Sequence, residues 1–237
     1  MAGWFWNRGD KMRISFEENE KDVIFLIGDF DEKYVPVFKS CFWQEENGSY
    51  FKSFPKDSKY IDNAKENFRL HSKEMFDQLG YFSECKWEEA LYDFALRMKE
   101  NMIDWWLTGS CAACIRGIAL KPHDVDAMFG SKDLDRITDV FPDKIIHPIL
   151  NTNGWVTRNF GVLFWHARID LASDPVAELD KPEPIDCGPY ARRHLETIRW
   201  RGLDIKVPPI ELTLAANKRR KRFERAKLIE DFLRSKE

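Results

Sequence analysis

The stretch Trp105-Trp106-Leu107-Thr108-Gly109-Ser110, followed after a short helix-length gap by Asp124-Val125-Asp126, decides how this chain is read. Its apolar start suits a buried strand that runs into a glycine. Side chains i and i+2 of a strand share a face, so Asp124 and Asp126 project together while Val125 points to the other side. Two carboxylates on one rigid element suit a hard cation such as Mg²⁺, which takes carboxylates together with substrate phosphates. Gly109 lets the backbone approach a phosphate closely, the helix that follows offers free N–H groups at its start, and Ser110 adds a hydroxyl. Gly-Ser and Asp-x-Asp pairs are common by chance; their order and their strand-helix-strand setting make them one signal. The plain alternative is a solvated strand face bearing two aspartates, with a loop at Gly109.

Downstream, Cys111 to Gly117 reads as a short helix ending at a glycine, and Lys121-Pro122-His123 breaks the pattern before the carboxylate strand. Leu134, Ile137 and Val140 mark a further helix stopped near Pro142. Gly161–Trp165 and Arg168–Leu171 are strand candidates that could form one continuous strand. A short extended segment lies between Ile198 and Val207, and Pro208-Pro209 introduces a helical, strongly basic tail. Upstream, Trp87, Leu91, Phe94, Ala95 and Met98 recur at helical spacing. Before Phe82, Val23–Ile27 is a compact apolar run, and two aromatic runs (Phe42–Glu45 and Tyr50–Phe54) flank Asn47-Gly48, a pair suited to a tight hairpin. Ile61 to Leu79 is helical in pattern and closed by Gly80. The organisation expected is a small α+β unit over 1–84, to which no role is assigned, and a second unit over 85–237.

The 237 residues can bury a sizeable core, and 43% hydrophobic with 32% charged residues is a globular balance. A formal charge of −3 argues against a generally basic nucleic-acid binder while leaving room for a local basic patch. No segment has the uninterrupted apolar length needed to cross a bilayer. The start Met1-Ala2-Gly3-Trp4-Phe5-Trp6 turns polar at Asn7 and lacks the pattern of a signal peptide, and five cysteines suit reduced thiols, so a cytoplasmic protein is expected.

Gly-Ser followed by Asp-x-Asp resembles the signature of the nucleotidyltransferase superfamily, the polymerase-β-like enzymes. The resemblance runs from about Trp87 to the C-terminus and is sharpest between Trp105 and Phe129. It is nearest to the small bacterial members, which include enzymes that adenylylate aminoglycosides or lincosamides and the minimal toxin–antitoxin transferases. It implies an α+β fold: a mixed sheet with flanking helices, here preceded by the small N-terminal unit. It further implies transfer of a nucleoside monophosphate, AMP from ATP in the first instance, to a hydroxyl acceptor with release of pyrophosphate, dependent on Mg²⁺ or Mn²⁺. The acceptor stays open: a small molecule, a protein side chain or an RNA end.

Members of the superfamily usually hold metal with three carboxylates. Asp170, in Ala167-Arg168-Ile169-Asp170-Leu171, fits the third position, where it would be both a metal ligand with Asp124 and Asp126 and the general base for the acceptor hydroxyl. Asp174 is the next candidate. Pro208-Pro209-Ile210-Glu211-Leu212 and the Lys218–Arg222 run resemble the segment that closes such domains. Gly109, Ser110 and Lys218 are the expected nucleotide-binding residues, Lys218 as the cation for the triphosphate. One departure is that Cys111 to Pro122 carries two cysteines and Arg116 where many relatives have a small Ala-rich helix.

Two other uses of these residues compete. A non-catalytic nucleotide- or RNA-binding protein on the same fold would use the basic tail and not the carboxylates. A thiol redox protein would use Cys111 and Cys114, whose spacing suits it, but two small buried cysteines packing a helix on a sheet explain them as well. The five histidines have no metal-ligand spacing; His123, beside Asp124, could tune the site or be an ordinary loop residue.

Overall fold

The computed structural model describes residues 12–236; the Trp4-Phe5-Trp6 start lies outside them. The chain opens with β1 (Arg13–Glu18), β2 (Asp22–Gly28), α1 (Val35–Ser40), β3 (Gln44–Glu46), β4 (Ser49–Pro55) and α2 (Ile61–Leu79). The four strands form an antiparallel sheet in the order β1-β2-β4-β3. Asn47 and Gly48 make the two-residue turn between β3 and β4, with φ of 49° and 75°, the left-handed backbone this pair tolerates. Val23, Phe25 and Ile27 alternate inward along β2, and Tyr50 and Phe54 do so along β4. Lys52, between them on the same inward face, interrupts the apolar series.

The second half contains α3 (Trp87–Glu100), β5 (Trp105–Thr108), α4 (Gly109–Cys114), β6 (Val125–Phe129), α5 (Leu134–Val140), β7 (Ile145–Asn151), β8 (Thr157–Trp165) and β9 (Ala167–Pro175). These strands form one mixed sheet in the order β5-β6-β9-β8-β7, with β6 and β9 parallel and the other pairs antiparallel. The fold is α+β, a mixed sheet with flanking helices. The segments 161–165 and 168–171 are not one strand: His166, at φ 65°, turns the chain so that Trp165 pairs with Ala167 and β8 folds back along β9. The left-handed turn is held from outside, since Gln78 Nε2 donates to the His166 carbonyl at 2.8 Å. β7 escaped the sequence reading because Pro148 interrupts it; the structure accommodates the break with register shifts on either side of His147.

Both sheets contribute to one buried cluster. Phe68 of α2 lies against Phe16, Phe25, Trp43 and Phe76, and its ring centroid is 6.0 Å from that of His147 on β7. Asn67 Nδ2 donates to the Ile145 carbonyl at 2.9 Å. Helix α2 is therefore the layer between the N-terminal sheet and the strands that carry the site.

The chain closes with α6 (Pro189–Arg193), the hairpin of β10 (Glu196–Trp200) and β11 (Leu203–Val207), then α7 (Ile210–Arg219) and α8 (Phe223–Arg234). The expected extended segment at 198–207 is thus a hairpin turning on Arg201-Gly202, and the expected basic helix is two helices. Lys221, at φ 56°, breaks them apart. Among the described residues no helix is long and apolar enough to cross a membrane.

Candidate active site

Three aspartates meet where β6 and β9 run side by side. Asp126 and Asp170 are direct register partners across the parallel pair, so both side chains leave the same face of the sheet. Asp124, just ahead of β6, lies two residues back from Asp126 and joins them. One carboxylate oxygen from each lies within 4.8 Å of the others. Such crowding is costly for like charges: burial, then the neighbouring Asp124 and Asp170, push Asp126 well above the ordinary carboxylate range. Three convergent oxygen donors that repel one another fit a hard divalent cation, which would replace the repulsion with shared coordination.

Asp170 has a partner that the carboxylate pattern did not disclose. Arg168, two residues earlier and on the same face, donates from Nε to Oδ1 at 2.5 Å and from a terminal nitrogen to Oδ2 at 3.1 Å. This bidentate fork fixes the plane of the carboxylate. Burial raises the pKa of Asp170, and Arg168 pulls it back. The i, i+2 spacing of Arg168 and Asp170 on a strand was the sequence signal for this pair.

Gly109 opens α4 with φ 66°, and a Cβ there would run into Oδ2 of Asp126. The space freed by the missing side chain is taken by the Asp126 carboxylate, so this packing and the positive φ require a glycine. The Gly109 amide donates to Oδ2 of Asp186 at 3.3 Å, and the Thr108 hydroxyl donates to the Asp186 carbonyl at 3.1 Å. Asp186 is buried and comes from the loop ahead of α6, a segment with no periodicity or motif from which it could have been picked. Burial raises its pKa, opposed chiefly by Arg220.

Gly109, Ser110, Asp124, Asp126 and Asp186 line an open cleft with about 530 Å³ of empty space. Arg220, Arg222 and Arg225 line the same cleft and bring positive charge to it. Arg220 and Arg222 belong to the break at Lys221, and Arg225 to the first turn of α8. Desolvation lowers the pKa of Arg220, and the fields of Asp186, Asp126 and Asp124 more than reverse it.

No protein-family model matches the chain, and no curated protein matches it. Three solved structures do. One is a candidate nucleotidyltransferase from Thermotoga maritima, with 19% identity over 62% of this chain and 91% of that chain and a TM-score of 0.46. Another is a lincosamide antibiotic adenylyltransferase with lincomycin bound, with 13% identity over 62% of this chain and 98% of that chain and a TM-score of 0.44. A third, an antigenic nucleotidyltransferase-like protein from Paracoccidioides brasiliensis, has 11% identity over 57% of this chain and 71% of that chain and a TM-score of 0.38.

The remaining sequence candidates lie elsewhere or play quieter parts. Lys218 lies in the last turn of α7 with its Nζ on Glu230 at 2.7 Å, and Arg220, Arg222 and Arg225 face the cleft in its place. Asp174 lies further along β9, accepting from the Ser131 amide at 3.4 Å and from Arg192 at 3.3 Å. Cys111 donates from Sγ to the Asp124 carbonyl at 3.2 Å, and Cys114 does so to the Leu120 carbonyl at 3.5 Å. Burial raises both thiols, Cys111 far more, with Asp124 and Asp126 adding to it, so the pair is held protonated and in use as backbone ties. His123 Nε2 is 3.4 Å from Oδ2 of Asp124, and its Nδ1 lies 2.9 Å from the Tyr81 hydroxyl.

Proposed function

We propose that this protein is a metal-dependent nucleotidyltransferase that transfers a nucleoside monophosphate, AMP from ATP in the simplest case, to a hydroxyl acceptor and releases pyrophosphate. The observation that carries the reading is the convergence of Asp124, Asp126 and Asp170 at a cleft that three arginines also line. In the balanced reaction the acceptor oxygen bonds to the α-phosphorus, the bond to the pyrophosphate oxygen breaks, and the hydroxyl proton leaves. Asp124, Asp126 and Asp170 would hold Mg²⁺ or Mn²⁺, which supplies charge neutralisation for the phosphate oxygens.

This chain's own residues do the rest. Arg220, Arg222 and Arg225 bind the negative charge of the triphosphate, the work assigned from the sequence to Lys218. The Ser110 hydroxyl offers a hydrogen bond to a phosphate oxygen. Asp186 keeps the Gly109 backbone in place and balances Arg220. Asp170 accepts the acceptor's proton, and Arg168 holds its carboxylate plane for that transfer. A binding-only protein on the same fold would need the arginines but not three mutually repelling aspartates, whose crowding is hard to explain without a cation.

The test is calorimetry with Mg²⁺ and a non-hydrolysable ATP analogue. Metal-dependent binding should be present in the native protein and lost in Asp124→Asn and in Asp126→Asn. Unchanged metal-dependent binding in both variants would remove the site.

A further inference from the structure

We propose that the acceptor is a flat aromatic molecule bearing a hydroxyl, seated on the half-buried end of the face that β9 and β8 share at Asp170, Ala172 and Phe160, between Asp170 and the rings of Phe42 and Trp155; this deepens the nucleotidyltransferase reading and rests on it. A closed circuit of contacts defines the place. Arg168, forked on Asp170, also donates to Sγ of Cys41 at 3.2 Å, which ties the residue before Phe42 to the partner of that carboxylate. The Phe42 ring meets Trp155 at a centroid distance of 6.1 Å, and Trp155 meets Phe160 at 5.6 Å. Phe160 is the register partner of Ala172, two residues along β9 from Asp170 and on the same face.

The chemistry of that circuit selects the ligand. Its floor at Ala172 is a single methyl about 7 Å along the strand from Asp170, counting two residues of rise, so a ring lying there has its substituents within reach of the proposed base. Its walls are aromatic and open to solvent, with Phe42 74% exposed and Trp155 44% exposed. The rings meet edge to face, at interplanar angles of 74° and 83°, which leaves ring faces free to stack. Phe42 also has φ 59°, a backbone conformation unfavourable to a bulky side chain, held by the amide of Trp43 donating to the Phe38 carbonyl at 3.0 Å. A large apolar ring kept outside the core on a left-handed backbone, beside a second exposed ring that leads through Phe160 to the strand bearing Asp170, is a built surface rather than a leftover one.

The probes are 2-naphthol and its saturated counterpart decahydro-2-naphthol, which match in size and hydroxyl but differ in flatness. Ligand-observed NMR titration of the full chain, without nucleotide or metal, should give at least tenfold tighter binding of 2-naphthol. That preference should disappear in Phe42→Ala and in Trp155→Ala, both of which should keep the native affinity for the Mg²⁺-dependent ATP analogue. Equal affinity for the two probes, or a preference that survives both substitutions, would overturn the proposal. A concentration-dependent dimer that dissociates on the same substitutions would also overturn it, by assigning the rings to a second copy of the chain. If the native protein fails to bind the ATP analogue at all, the nucleotidyltransferase reading fails by itself, and the naphthol comparison still reports on the aromatic surface.

Discussion

The N-terminal sheet and the mixed sheet meet around His147, and they bury opposite kinds of surface. On the N-terminal side the seam is made of rings: Phe16, Phe25, Trp43, Phe54 and Phe68 pack together, mostly edge to face or tilted. On the other side, the parallel pairing of β6 and β9 forces Asp126 and Asp170 into register and holds them with Asp124. One region gains stability from nearly every contact, and the other loses it to charge repulsion. The aromatic layer braces the strands that hold the carboxylates, and it does so on their own face of the sheet: His71 of α2 stacks on Phe164, the register partner of Arg168, and His147 pairs with Val162, the partner of Asp170.

Three substitutions test that contrast. The largest effect belongs to Phe68→Ala, which removes a fully buried ring touching both sheets. It should destabilise the protein by about 3–5 kcal/mol in denaturant unfolding, still in one transition. Two separate transitions would show that the layers do not support each other.

Next comes Asp126→Asn. It should lower pyrophosphate release by about a hundredfold or more, equivalent to about 2.7 kcal/mol, and at the same time raise the metal-free Tm. The opposite signs are the point, since the same charge proposed to serve the reaction strains the fold. A fall in metal-free Tm would mean that the repulsion among the three carboxylates does not outweigh what Asp126 contributes to the fold.

The smallest effect falls on the seam itself. Lys52 projects into it, and burial together with Arg168 pushes its pKa down to about 8 from the ordinary 10.5. The unfolded chain therefore holds a proton that the folded chain has released between about pH 8 and 10.5, so this lysine's penalty is full below pH 8 and fades as pH rises through that window. Lys52→Met should stabilise the protein at pH 7 by roughly 1–3 kcal/mol and should have no such benefit above about pH 10.5. Thermal melts of both proteins across that range measure it.

Much of the site could be read from strand arithmetic. The i, i+2 rule brings Asp124 and Asp126 to one face, and the same rule, applied to Arg168, would have exposed the fork on Asp170. Asn47-Gly48 announced its hairpin because few other pairs accept two left-handed residues in a row. The errors share a cause as well. His166 and Lys221 are ordinary side chains in left-handed turns, and nothing about their local sequence favours that backbone. A long-range bond from Gln78 supports the first.

An apolar strand, a Gly-Ser corner and an Asp-x-Asp pair carry their geometry in their spacing, and that spacing alone marked the candidate residues. Only the tertiary structure decided which of them meet. Strand order put Asp170 beside Asp126, the break at Lys221 turned Arg220, Arg222 and Arg225 toward the cleft while Lys218 went to Glu230, and a loop without pattern delivered Asp186 to the Gly109 amide. The physical reason is range: spacing along a strand or helix is fixed by the backbone over a few residues, whereas contacts between distant segments are chosen by the burial and pairing of the whole chain.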